Sequence, residues 1–260
     1  MPDTTVIKYE KKDNIGIITL DNPKKFNSIT AEFYKDLIAI EDEIAGDPEL
    51  RAVILTASGK HFCAGYDLSY LNSATPAAVK TESRRYLRTY NFFQDIPIPV
   101  IAAVDGVCYG SGVEIILACD LRIVAETARI AIVEAKYGLA PDLGGTTRLT
   151  KLVGPGQAKR MIMGCDEIDG KEARSIGLAE IVVPREELME TAMKYAKRMA
   201  SFPPNGIRFS KFGINVAMES SEAAGFMYEN AQGIYCCGTN DLKEATLAFL
   251  EKRQGVYTGD

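Results

Sequence analysis

The sequence predicts an α/β protein with parallel strand pairing, followed by an all-helical C-terminal region. Two features carry that expectation. Over the first 130 residues, β-branched apolar runs alternate with stretches of helical periodicity, and parallel strands need helical crossovers to connect them. From residue 185 onward the strand-like runs stop and four helical stretches follow one another.

The elements can be justified in chain order. Residues 15–20 are β-branched and apolar, and they end at the breaker Asp21-Asn22-Pro23. Residues 30–45 place Phe33, Leu37, Ile40 and Ile44 at helical spacing. Residues 52–56 read as a short buried strand, and Ser58-Gly59-Lys60 begins a loop. Residues 76–95 form a charged helix with Tyr86, Tyr90 and Phe93 on one side. Residues 100–104 are a strand, 112–118 a helix, 121–125 a strand and 145–153 a helix. The tail reads as helices over 185–200, 205–218, 221–234 and 241–253, broken at Phe202-Pro203-Pro204 and Cys236-Cys237-Gly238. With no strands of its own to cover, that tail is expected to pack on the core, on a neighbouring subunit, or on both.

Composition narrows the function classes. The 260 residues are 47% hydrophobic and 25% charged, an ordinary globular composition. A net charge of −5 provides no broad cationic field, so no nucleic-acid partner is expected. No apolar run approaches the roughly 18 residues of a membrane span, and residues 1–12 are polar and unlike a secretory signal. Six cysteines without a C-x-x-C pair, beside the single His61, give no support to a metal site. They read as free thiols of a reducing cytoplasm. One histidine also argues against Ser-His-Asp or Cys-His catalysis, and His61 reads as a loop residue.

Three stretches could carry chemistry. The most informative is Tyr109-Gly110-Ser111-Gly112-Val113-Glu114, because Glu114 sits in an apolar run directly after a small-residue turn. Burying a carboxylate costs several kcal/mol unless it is paired, hydrogen-bonded or neutral. Few side-chain atoms at the turn would let a ligand reach backbone N–H groups. Close packing, with Glu114 paired to a buried cation, explains the pattern as well. The second stretch, Phe62 to Leu68, follows the strand at 52–56, where α/β folds bind ligands. It is equally a tight turn with Asp67 as a helix N-cap. The third, residues 132–146, adds Glu134 and Asp142 on a glycine-rich segment. Converging carboxylates suit general acid/base work. As an ordinary loop, Glu134 would instead pair with Lys136 or solvent and Asp142 would cap the helix at 145.

Taken together, these segments resemble the crotonase superfamily, the enoyl-CoA hydratase/isomerase family. The resemblance runs from Asn22-Pro23-Lys24-Lys25-Phe26-Asn27-Ser28 through F-C-A-G-Y-D-L, I-A-A-V-D-G-V-C-Y-G-S-G-V-E and A-C-D-L-R-I-V-A to G-L-A-P-D-L-G-G-T-T-R-L and A-F-L-E-K-R. It implies a crotonase-like spiral of ββα units over residues 1–200 holding an acyl-CoA site. Residues 201–260 would then be a helical region for trimerisation and closure of the CoA pocket, giving a homotrimer or homohexamer. It implies a thioester enolate held by the amides of Tyr66 and Ser111, with Glu114 and Glu134 as the two glutamates of a hydratase. Tyr66 and Ser111 both depart from the small residue and the glycine usual there, and Tyr66 is bulky enough to reshape the acyl pocket. Lys24, Lys25, Ala64, Asp67, Leu68, Phe249 and Lys252 would bind CoA, and no cofactor beyond the substrate's CoA is implied. Asp142 matches a catalytic aspartate of dienoyl-CoA isomerases and of some ring-processing relatives. Isomerisation, or hydration of a cyclic dienoyl-CoA, is therefore the alternative to enoyl-CoA hydration. A non-enzymatic RNA-binding or scaffold member is a more distant one.

Overall fold

A computed structural model describes residues 4–260, so the first three residues of the polar N-terminal segment lie outside the described part. The chain opens with an antiparallel hairpin of β1 (Ile7–Lys12) and β2 (Ile15–Leu20), in which Ile7 pairs with Leu20. Strand β1 escaped sequence analysis because only Ile7 and Tyr9 of its six residues are buried. Parallel partners follow: β3 (Ala52–Ala57), β4 (Val100–Val104), β6 (Leu121–Ala125) and β9 (Ile181–Val183). They form a six-stranded sheet in the order β1-β2-β3-β4-β6-β9. Three short strands make a second sheet: β5 (Val107–Tyr109), β7 (Arg129–Ala131) and β8 (Ile168–Asp169). Strands β5, β7, β8 and β9 each have three residues or fewer. That is too short for periodicity to register.

Helix α1 (Ala31–Ala45) starts where Thr30 accepts a hydrogen bond from Phe33 N, and it buries the predicted Phe33, Leu37, Ile40 and Ile44. Next come α2 (Leu68–Asn72), α3 (Pro76–Asp95) and α4 (Ser111–Leu117). Helix α5 (Gly145–Met163) outruns the expected helix because the chain resumes helical geometry after a break at Gly154-Pro155. Helices α6 (Gly170–Ser175), α7 (Leu188–Ala200), α8 (Pro204–Glu219), α9 (Glu222–Cys237) and α10 (Asn240–Glu251) complete the chain.

The core has two faces, as the period of two in a strand requires. Ile18, Leu20, Val53, Leu55, Val100, Ala102 and Val104 face a large core shared with α1, α3, α4 and α5. Ile15, Ile17, Ala52, Ile54, Ile101, Ala103 and Ile123 face the other way, onto Leu188, Ala192 and Ala196 of α7. The first helix of the tail thus packs on the core, one of the expected places, by covering this face of the sheet, while α8–α10 lie beyond it. Helix α8 is pinned by Lys211, whose Nζ meets Asp120 Oδ2 at 2.8 Å and donates to the Phe93 and Ile98 carbonyls. All six cysteines carry free thiols. Among the described residues no helix is long and apolar enough to cross a membrane.

Candidate active site

The loop after β3 is held from both sides. Asn27, buried and at φ 53°, donates to the carbonyls of Ser58 and His61 and accepts from Asn22 N. Three further backbone bonds join this loop to residues 26–29: Ala64 N to Phe26 O, Ile29 N to Gly65 O and Asp67 N to Ile29 O. On its other side Cys63 exchanges two backbone bonds with the Val107–Tyr109 strand. His61 accepts from Val107 N at 3.2 Å, so it is a structural residue of the loop, as expected.

Two glycines permit the close approach that follows. Gly65, at φ 83°, lies so near the next segment that a Cβ there would be 3.6 Å from Ser111 N. At Gly112 a Cβ would sit 2.9 Å from Cys63 O. The Tyr66 and Ser111 amides are thereby neighbours, and neither donates to a described residue. The first N–H groups of a helix have no partner within it, which leaves the Ser111 amide free to face a ligand.

Helix α4 is buried along its whole length and carries Glu114, which is 1% exposed. Among the described residues no cation forms an ion pair with it. Its Oε1 accepts from Leu143 N at 2.9 Å and Gly145 N at 3.1 Å. Burial raises its pKa to about 7, aided by the charges of Glu134 and Asp142 and opposed by the two amides. Gly145 makes this possible, since a Cβ there would lie 2.8 Å from Glu114 Oε1. The far end of α4 is held by the buried Arg122, which donates to Cys119 O and Leu178 O and pairs with Glu180.

Glu134 opens a 3-10 turn, Glu134–Tyr137, directly over Gly110. A Cβ on Gly110 would be 2.8 Å from Glu134 Oε1, and Gly110 has φ 52°. Among the described residues no ion pair joins Glu134 to Lys136, and Glu134 is half-buried. Oε2 of Glu134 is buried and has no partner among the described residues. Burial raises its pKa, with Asp142 adding to the shift.

Asp142 does not cap helix α5. Gly144, in the left-handed region, holds the N-cap position with no side-chain cap bond. The residue is exposed as a whole, yet protein around its carboxyl raises its pKa. A cleft of about 1030 Å³ runs between α3, α5 and α8, and of the candidate residues only Asp142 lines it.

The remaining candidates fall into two groups. Lys24 and Lys25 are exposed on the 3-10 turn Pro23–Lys25, beside Ala64. Asp67 is the N-cap of α2, accepting from Ser69 N and Tyr70 N, and meets Lys25 Nζ at 3.7 Å. Leu68 is exposed. Phe249, 82% exposed, and Lys252 lie on the surface at the end of α10. Among the described residues no hydrogen bond or ion pair joins them to the site. Sequence analysis missed Tyr34 of α1, whose hydroxyl meets that of Tyr66 at 2.6 Å. Its only signal was a polar group on the buried face of an amphipathic helix.

Fold and site together define a protein with a parallel α/β core, neighbouring backbone amides without a partner among the described residues, and a buried and a half-buried carboxylate that share one field. Comparison with known proteins gives this class its family. The profile described as Enoyl-CoA hydratase/isomerase matches residues 10–260, and the chain belongs to that family. It is similar to a short-chain-enoyl-CoA hydratase of Clostridium acetobutylicum, with 35% identity over 94% of each chain. It is 34% identical to a crotonyl-CoA hydratase of Syntrophomonas wolfei, over 96% of this chain and 97% of the relative. A crystal structure of an enoyl-CoA hydratase from Bacillus anthracis superposes with a TM-score of 0.94 at 33% identity, covering 98% of this chain and all of the other.

Proposed function

We propose that the protein is an enoyl-CoA hydratase, adding water across the 2,3 double bond of an acyl-CoA thioester. The observation that carries this reading is the convergence of Glu114 and Glu134 beside the Tyr66 and Ser111 amides. The thioester oxygen would accept from those two amides, which stabilise the charge that develops there. Removing one such donor typically costs about 3–4 kcal/mol. One glutamate takes a proton from water as its oxygen bonds to C3, and the other delivers a proton to C2. Raised proton affinities suit both tasks, since a base and an acid work best when their pKa values lie near the working pH.

Lys24 and Lys25 would meet the CoA phosphates, with Ala64, Asp67 and Leu68 along the CoA arm and Phe249 and Lys252 closing over the nucleotide. Asp67, already an N-cap bonded to two amides, would contribute through its backbone. No cofactor beyond the substrate's CoA enters this scheme. A homotrimer or homohexamer in the cytoplasm fits the exposed apolar faces of α9 and α10 and the six free thiols. The charge of Asp142 raises the proton affinity of both glutamates. That supports isomerisation, or hydration of a cyclic dienoyl-CoA, as the second reading.

Glu114→Gln and Glu134→Gln should each lower kcat on crotonyl-CoA by at least about 100-fold while the fold persists. Near-wild-type turnover in either variant would sink the two-carboxylate mechanism. Loss in Glu134→Gln alone, with isomerase activity in the wild type, would point to a single base.

A further inference from the structure

Five tyrosines crowd the space beside the two amides, and the proposed chemistry uses none of their hydroxyls. The rings of Tyr34 and Tyr86 stack with centroids 3.5 Å apart and planes 8° from parallel. Tyr66 stacks on Tyr70 at 6.3 Å. The hydroxyls are tied to one another: Tyr34 to Tyr66 at 2.6 Å, Tyr70 to Tyr86 at 2.9 Å, and Tyr86 to Glu82 Oε2 at 2.6 Å. Tyr90, fully buried, shares a 2.8 Å hydrogen bond with Ser111 Oγ.

This arrangement has two physical consequences. Each hydroxyl already has a hydrogen-bond partner, so what the cluster chiefly offers a ligand is ring surface. Rings that are both stacked and hydrogen-bonded are also held in place, and cannot swing aside as a lone surface tyrosine would. The cluster touches both oxyanion candidates. Tyr66 supplies one amide through its own backbone, and Tyr90 binds the side chain of Ser111, which supplies the other. The Tyr66 ring also lies in the field of Glu114 and Asp142, whose charges add to the effect of burial in raising its pKa.

We infer that Tyr66, backed by Tyr34 and the Tyr70-Tyr86 pair, is a specificity-determining wall. It closes the acyl end of the site and restricts it to short, apolar acyl thioesters such as butyryl and crotonyl. This rests on the acyl-CoA reading above and deepens it. In an open apolar pocket each added methylene tightens binding several-fold. A medium-chain thioester should then bind far better than a short one. A fixed tyrosine wall reverses that order.

Binding of saturated acyl-CoA thioesters tests this without requiring turnover. Isothermal titration of the full chain should show decanoyl-CoA binding at least about tenfold more weakly than butyryl-CoA, against the methylene trend. Tyr66→Ala should move the decanoyl-to-butyryl affinity ratio at least about tenfold toward decanoyl-CoA. Tyr66→Leu, a smaller perturbation of the stack, should move it in the same direction if the alanine variant fails to fold. Tyr66→Phe, which keeps the ring, should retain the wild-type order. A wild type that binds decanoyl-CoA as tightly as butyryl-CoA would overturn the inference, and so would a ratio unmoved in both Tyr66→Ala and Tyr66→Leu. Absence of hydration with every enoyl-CoA, beside a preserved length preference, would overturn the proposed reaction and uphold the wall.

Discussion

Glu114 shows how one residue couples stability to chemistry. Its carboxyl titrates near 4.5 in an unfolded chain and at about 7 in the folded one, chiefly because it is buried. Between those values the folded state keeps a proton that the unfolded state has lost. The stability contributed by this group is therefore fully present below pH 4.5 and is lost as the pH rises through about 7. The shift corresponds to about 3 kcal/mol at most. Glu114→Gln keeps an acceptor oxygen for the Leu143 and Gly145 amides, so it should remove this pH dependence and be the more stable protein at pH 8. Urea midpoints of both proteins at pH 5 and pH 8 check this, and parallel pH dependences would contradict it. Asp142 acts on its neighbours through charge and caps nothing. Asp142→Asn should thus shift the acid limb of the crotonyl-CoA pH–rate profile downward and leave kcat within about tenfold. A far larger loss with stability unchanged would make Asp142 a direct proton carrier.

At the scale of elements, the site depends on backbone segments brought closer than side chains would allow. Gly110 is the clearest case, with a positive φ and Glu134 Oε1 only 2.8 Å from where its Cβ would be. Gly110→Ala should destabilise the fold by about 1–3 kcal/mol through backbone strain. It should also lower kcat by at least about tenfold by displacing Glu134. Measured against Glu134→Gln, a wild-type kcat in Gly110→Ala would show that Glu134 does not need this seat. The same logic explains which elements were legible. Helix α1 was, because four apolar residues recur at helical spacing and all four are buried. Strands β5 and β7 were not, because three residues show no period and their partners lie elsewhere in the chain.

For the whole molecule, the tail carries the exposed apolar surface that points to assembly. Phe226, Met227, Ile234, Phe249 and Leu250 on α9 and α10 are each more than half exposed. Contiguous apolar patches beyond a few hundred Å² are uncommon on monomers. A homotrimer or a hexamer of two trimers is expected by light scattering at micromolar concentration. A monodisperse monomer would reject that assembly. It would also leave Phe249 and Lys252 without a route to the site, since among the described residues no hydrogen bond or ion pair joins them to it.

What the sequence determined by itself was chemical identity and local form: the costly Glu114 in an apolar run, the small-residue turns, the strand-helix alternation and the family motifs in order. These are legible because burial costs and periodicities act within a few residues. What only the tertiary structure decided was which groups meet. Residues 66 and 111, 114 and 145, and 110 and 134 are far apart in sequence, and their contacts exist because the sheet aligns the loops that carry them. The fate of each carboxylate was decided the same way. Asp67 became a cap while Asp142 did not, and Glu114 found two amides rather than a buried cation. Sequence spacing carries no information about which donors will surround a buried charge, and the three-dimensional packing supplies it.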